Sequence, residues 1–400
     1  MSDLFLIKNR IDAAFRYVET ELFSKKTGLI YDHIVNGREK EFPTSREIRL
    51  RYPNPCGYTT GMEDGMISGG TMLDACLLKY EKENDSSAAQ FAKKLVRGML
   101  NCAASAETEG FLPRSVSPMD GVSHYPDSSR DQYTMFAFGM HRYLSSRLCD
   151  RDEREQISNA VTAISRRAEK NVCAETGYDM LTDDGRPTLA TVMWGDSLGN
   201  HEYMRLPMLY ALAYEASRDI YWLKKYREIR SEAYERSLPM TSYWSLYTLQ
   251  QMQVSVRTCY DLDCDEGWRE KYYYLMCSVA EYAESMAGKV RERIESYTSY
   301  NALQRPFREL EAKPNERFIK LGYSDALLLR QADHTEFFVL QDGAQLAIVT
   351  GLVPDREQNS AVLDVFSDAF AKIDFSTHER NLPLYFVDGY YRIMSIDADN

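Results

Sequence analysis

The sequence predicts an all-α chain of twelve helices paired as six hairpins, and three observations carry that prediction. Along all 400 residues the apolar period is 3.6 rather than 2, and no stretch offers the Val/Ile/Thr alternation of a sheet. Successive helices alternate between one apolar stripe and apolar surface all round. The connections alternate as well, long before one kind of helix and short before the other.

Helices are expected over 3–24, 63–82, 87–106, 131–148, 151–171, 201–217, 219–236, 240–260, 266–295, 334–351, 356–373 and 384–397. In 151–171, Ile157, Val161, Ile164 and Ala168 form one stripe, with Arg154, Glu155, Arg166, Arg167, Glu169 and Lys170 around it, as on a helix with one face in water. Its predecessor differs: from Asp131 to Arg147 the full charges are Asp131, Arg142 and Arg147, while Tyr133, Met135, Phe136, Phe138, Met140, Tyr143 and Leu144 cover nearly every face. A helix apolar all round must be enclosed by protein. Residues 242–256 and 337–349 are enclosed in the same way, whereas 87–106 and 221–234 are half charged. Outer and inner helices therefore alternate, as in an (α/α)6 toroid formed by one domain over 1–400, whose parallel inner helices open their N-termini at one mouth. The long connections 25–62, 107–130, 172–200 and 296–333 all lead into inner helices, and long loops of this kind usually carry function. Gly28, Gly110 and Gly177, each after an outer helix and each followed by an aromatic residue or leucine, fit left-handed helix stops.

Charge and composition narrow the function. With 48 Lys+Arg against 60 Asp+Glu the formal charge is −12, which argues against nucleic acid or an anionic membrane as partner. Hydrophobic residues at 44% supply a large core. No apolar run approaches the roughly 18 residues of a membrane span, and the first residues lack a secretory leader. The expected location is the cytoplasm, or the periplasm or exterior if a leader has been trimmed. The eight cysteines lack CxxC or zinc spacing and read as buried free thiols. No HExxH, GxSxG or phosphate-binding glycine loop occurs, so neither cofactor nor metal is expected. The small residues of Gly65–Gly70 fit close packing between inner helices. Tyr221 and Trp222 on an outer helix leave monomer and homodimer both open. The 28 tyrosines suit a pocket that stacks on a polar ligand and also bonds it, or equally the capping of wet helix ends.

The inner-helix starts read Gly61-Met62-Glu63-Asp64, Ser129-Arg130-Asp131-Gln132, Asn200-His201-Glu202-Tyr203, Thr241-Ser242-Tyr243-Trp244, Asp333-His334-Thr335-Glu336 and Tyr385 through Asp388. The loops feeding them add His33, Tyr58, Arg114, His124, Tyr125, Asp127, Trp194 and Asp196. Any single acid here fits a helix cap, stabilised by about 0.3–1 kcal/mol. Two places resist that reading. Glu63 and Asp64 are adjacent carboxylates among glycines, and Ser128 or Ser129 could already cap the helix that Asp131 begins. Glycoside chemistry needs one carboxyl to give a proton and a second to activate water or steady positive charge, with aromatic faces for the sugar. Asp131 with Asp64 or Glu63 forms the candidate catalytic set. Candidate substrate contacts are Arg130, Gln132, Arg114, His124, Tyr58, Trp194, His201, Glu202, Tyr243, Trp244 and His334. Arg114 and Arg130 are the guanidiniums suited to gripping a uronate carboxylate, unless Arg130 pairs internally.

The twelve alternating helices, the GMEDGMISGG and SSRDQYT segments and the Met193-Trp194-Gly195-Asp196 loop resemble the six-hairpin glycosidase superfamily, in particular proteins related to unsaturated glucuronyl and rhamnogalacturonyl hydrolases and β-glucuronidase-type toroids. The resemblance implies a proton-donating Asp at an inner-helix start and a second, assisting Asp, which map onto Asp131 and Asp64. It implies a glycoside hydrolase acting on the end of an oligosaccharide that contains a uronic or unsaturated uronic acid. A sugar epimerase or isomerase using His201 and His334, a polysaccharide lyase and a non-catalytic glycan-binding toroid are the alternatives.

Overall fold

Five helices begin on an Asp or Asn whose side chain accepts a backbone N–H of the first turn: Asp85, Asp150, Asp219, Asp265 and Asn359. All five are outer helices. Asp150 also forms a reciprocal box with Glu153. The computed structural model describes residues 2–238, 245–297, 305–330, 334–375 and 379–396, without the side chains of 2–6, 334–337 and 394–396. The helices are α1 (Ser2–Tyr17), α2 (Ser45–Arg49), α3 (Gly65–Glu83), α4 (Ser86–Ala104), α5 (Arg130–Ser145), α6 (Arg151–Asn171), α7 (Arg205–Ser217), α8 (Ile220–Arg236), α9 (Leu246–Leu262), α10 (Glu266–Ser285), α11 (Ala287–Glu295), α12 (Glu316–Lys320), α13 (His334–Gly351), α14 (Ser360–Ala371) and α15 (Pro383–Ile396).

The chain is all-α in class, and its contacts follow the inner/outer alternation. Helix α3 packs on α5, α5 on α7, α7 on α9, α9 on α13, α13 on α15, and α15 returns to α3, so six helices close a ring. Outside it, α4 packs on α3, α6 and α8 on α7, α10 on α9 and α13, α14 on α13, and α1 on α15. Inner helices are buried on nearly every face. In α3 the buried run Gly65–Leu77 is unbroken, while in α6 the buried positions return at helical spacing. One apolar cluster runs from Ile11 to Ile393. Turns from inner to outer helices are tight: Asn84 and Arg218 take left-handed conformations, with φ of 51° and 59°, immediately before the capping Asp85 and Asp219. Gly28, Gly110 and Gly177 also have positive φ, as helix stops require.

Three expectations change. The connection after α11 holds a two-stranded antiparallel hairpin, β1 (Glu311–Pro314) with β2 (Leu327–Arg330). Strands this short carry no usable alternation; the hairpin is held from outside, by Leu327 N–H donating to the Pro53 carbonyl at 2.7 Å and Asn54 Nδ2 to the Leu327 carbonyl at 3.0 Å. The helix expected over 266–295 breaks at Met286. Of the eight thiols, Cys56, Cys76, Cys102 and Cys259 are buried, Cys149, Cys173 and Cys277 are half-buried, and Cys264 is exposed. No helix among the described residues is long and apolar enough to cross a membrane.

Candidate active site

Three inner helices, α3, α5 and α7, start without a side-chain cap. The starts of α3 and α5 face a cavity of about 830 Å³. Asp64 and Ile67 of the α3 start, Ser129 and Asp131 of α5, Leu246 and Tyr247 of α9, Phe338 and Gln341 of α13, and Asn381 and Tyr385 at α15 line it. Asp64 stands at the cap position of α3 and accepts no cap bond, and neither does Ser129 before α5. Helix capping therefore does not account for Asp64 or Asp131.

The two carboxylates are held differently. Asp131 would be driven toward its neutral form by burial, but the Arg205 guanidinium, the Tyr247 hydroxyl donating to Oδ2 at 2.9 Å, and Arg130 outweigh this and keep its pKa below the usual carboxylate range. Asp64 is raised: burial dominates, and the Asp131 charge adds to it against Arg114 and a 3.2 Å bond from Gln132 Nε2. Both keep an accessible face, 38% of the Asp64 side chain and 25% of Asp131. The two carboxyl groups on this cavity are thus pushed in opposite directions, Asp131 down and Asp64 up. The physical reason is Arg205, a lone cation on an enclosed helix.

Glu63 lines the same cavity, with a pKa raised to about 7 by burial and by Asp64. Both its oxygens accept backbone N–H groups, from Thr59 at 2.9 Å and Gly61 at 2.8 Å, so it fixes the loop. Asp32 also lines the cavity. Its Oδ2 accepts the Asp64 N–H at 3.1 Å and its Oδ1 accepts from Asn381 at 2.7 Å. Burial, then Asp64 and Glu63, push its pKa well above the carboxylate range.

Several expected substrate contacts have structural work instead. Arg114 is 4% exposed; it donates to the Glu63 carbonyl at 3.0 Å, the Tyr58 hydroxyl at 3.0 Å and the Ser128 carbonyl at 3.1 Å. Arg130 is held by Glu202 and by the Val192 carbonyl at 2.8 Å. Gln132 is buried: its Oε1 accepts from Met66 N–H at 3.1 Å, and its Nε2 donates to the Glu63 carbonyl at 2.9 Å as well as to Asp64. It pins the start of α5 to the start of α3. His124 sits 3.0 Å from Asp183, and Trp194 packs edge-on against Tyr203; neither lines the cavity. His201 lies 3.8 Å from Glu202, outside the lining. Tyr58 and Arg114 do line it, with the Arg114 guanidinium 4.7 Å from the Tyr58 ring centre.

Tyr243 and Trp244 lie outside the described residues, as does the His334 side chain. Away from the mouth, Asp127 accepts the N–H groups of Ser128 and, from a second loop, Leu189; Asp196 is exposed beside Arg236, and Asp388 pairs with Arg392 at 3.2 Å. Among the described side chains the histidine on the cavity is His33, which burial, Arg380 and Arg38 bring down to about 3, so it is neutral near pH 7. Sequence reasoning missed Asp32, Arg205, Tyr247, Arg330, Arg380 and Asn381; a lone Arg within the apolar α7 was the one available signal. Among the described residues no group of three or more His, Cys, Asp or Glu is placed to hold a metal ion.

Compared with known protein families and with curated proteins, the chain matches none.

Proposed function

We propose that the protein is a glycoside hydrolase that removes a terminal sugar, a uronic or unsaturated uronic acid, by carboxylate acid/base chemistry. The observation that supports this reading is the presence of Asp64 and Asp131 on one cavity with pKa values pushed in opposite directions, an arrangement that suits an acid and a base. Asp64 gives its proton to the leaving oxygen as the C1–O bond breaks. Asp131 takes a proton from water as that water's oxygen bonds to C1, so the sugar and the alcohol each leave complete. Tyr247 and Arg205 orient Asp131, and Asp32 and Gln132 orient Asp64.

The uronate preference no longer rests on Arg114 or Arg130. Arg330, at the end of β2, is exposed on the cavity with no ion pair among the described residues, which supports a role in receiving a substrate carboxylate. The test is a panel of glycosides, saturated and unsaturated uronate-ended ones included, followed by reducing-sugar release and by loss of the unsaturated-uronate absorbance. Turnover that persists in both Asp64→Asn and Asp131→Asn rules the reading out. Gain of that absorbance instead of loss identifies a lyase.

A further inference from the structure

Among the described residues three tyrosines line the cavity, Tyr58, Tyr247 and Tyr385. Two have a partner for the phenol: Tyr58 accepts from Arg114 at 3.0 Å, and Tyr247 donates to Asp131 at 2.9 Å. Tyr385, on the first turn of α15, is 3% exposed, and its hydroxyl bonds to no group among the described residues. Its oxygen is not sealed inside the protein either, so what it meets is the cavity. Burial, then the charges of Asp64, Asp32 and Asp131, hold the phenol's proton well above the usual tyrosine range, and the group it presents is a donor. Asn381, four residues earlier, lines the same cavity. Its Nδ2 donates to Asp32 at 2.7 Å and to Ser68 at 3.1 Å, which assigns the orientation of the amide and leaves Oδ1 without a partner among the described residues. Asp32 ties the two together, since Asn381 bonds it and its charge acts on Tyr385.

A hydroxyl both gives and takes a hydrogen bond, so a phenol O–H together with an amide oxygen is complementary to it. A ligand hydroxyl that makes both bonds repays the loss of water from such a place, whereas an analogue without it leaves two enclosed polar groups unpaired. A site of this kind rejects the analogue. We infer that Tyr385 and Asn381 read one ring hydroxyl of the bound sugar, the phenol donating to it and the amide oxygen accepting from it. They are specificity-determining residues of the site. The inference rests on the sugar ligand of the proposed function and is independent of which carboxyl gives the proton.

The experiment measures binding by calorimetry to the full chain and to Tyr385→Phe. The probes are phenyl 1-thioglycosides of glucose, galactose, mannose and glucuronic acid, both anomers, followed by the monodeoxy analogues of the tightest binder. In the unaltered chain one monodeoxy analogue should bind at least about tenfold more weakly than its parent, and in Tyr385→Phe that penalty should shrink to about a third or less. The melting temperature of the variant should stay within about 1 °C, because the phenol has no protein partner to lose. A deoxy penalty that Tyr385→Phe leaves intact, or no penalty at any position, overturns the inference while the hydrolase reading stands. A penalty that depends on Tyr385 while no matching O-glycoside is cleaved keeps the inference and sinks the hydrolase reading. If no thioglycoside binds, both fail.

Discussion

Arg205 of α7 donates its Nη1 to Oδ1 of Asp131 at the start of α5, and the guanidinium is 3% exposed while the carboxylate keeps 25% of its surface open to the cavity. Asp131 is thereby favoured in its charged form from behind and open in front. Removing Arg205 takes away the largest influence that opposes burial of Asp131. In Arg205→Met the Asp131 pKa should rise, and the acid limb of kcat/KM should move to higher pH by at least one unit. Arg205→Lys, which keeps the charge, should move it less. An acid limb unchanged in Arg205→Met assigns that limb to another group.

Asp64 and Asp131 should respond differently to chemical rescue. General acid or base removal typically costs roughly 100- to 10,000-fold, and both Asp64→Asn and Asp131→Asn should lose activity in that range on a poor leaving group. A nitrophenolate needs no proton to depart, so Asp64→Asn should recover most of its bond-breaking rate with that substrate. Asp131→Asn should gain nothing from the better leaving group. The converse pattern exchanges the two roles.

The same acids make stability fall as pH rises. Asp32, Glu63 and Asp64 hold protons in the folded chain beyond the pH at which they release them when unfolded. Their contribution is complete below the unfolded values and is lost through the folded ones, for Glu63 between 4.5 and about 7. This contribution to the melting temperature should therefore drop from pH 5 to pH 8, while His33, lowered from 6.5 to about 3, adds a rise that is complete above its unfolded value. Asp64→Asn removes one of the three charges, so it should flatten the slope and raise the melting temperature at pH 8 by roughly 2 °C, with activity lost. A slope unaltered by the substitution assigns the pH dependence elsewhere.

Much of this was legible in the sequence because periodicity reports enclosure directly. The charge-poor stretch from Asp131 to Arg147 and the stripe over 151–171 are the inner α5 and the outer α6, and the adjacent acids at Glu63-Asp64 stood out among glycines. Partnership was not legible. Arg114 and Arg130 read as free guanidiniums because a sequence shows the cation but not the carbonyls of Glu63, Ser128 and Val192 that occupy it. Arg205 meets Asp131 across two helices, and Asp32 meets Asn381 across most of the chain. Ring closure creates these contacts, and no local pattern announces them. The β1–β2 hairpin escaped for a related reason, since its tie to Pro53 and Asn54 is made at long range.

The separation of the two acids is set below them, where α3 and α5 touch backbone to backbone. A Cβ built on Gly70 would stand 2.2 Å from the Met135 carbonyl oxygen, and one on Gly139 would stand 3.2 Å from the Gly70 Cα. Gly70 lies six residues beyond Asp64 and Met135 four beyond Asp131, so at about 1.5 Å per residue the contact sits roughly 6–9 Å beneath the carboxylates. A methyl group there pushes the helices apart, and Gln132, which bridges Met66, Glu63 and Asp64, loses its reach. Gly70→Ala should cost about 1–3 kcal/mol as an overpacked contact and should depress kcat beyond what the remaining folded fraction explains. Gly288→Ala is the control: it is helical, with nothing within 4 Å of a new Cβ, and should be neutral or stabilising by up to about 1 kcal/mol. If Gly70→Ala melts and turns over like Gly288→Ala, the α3–α5 contact does not set the geometry of the acids.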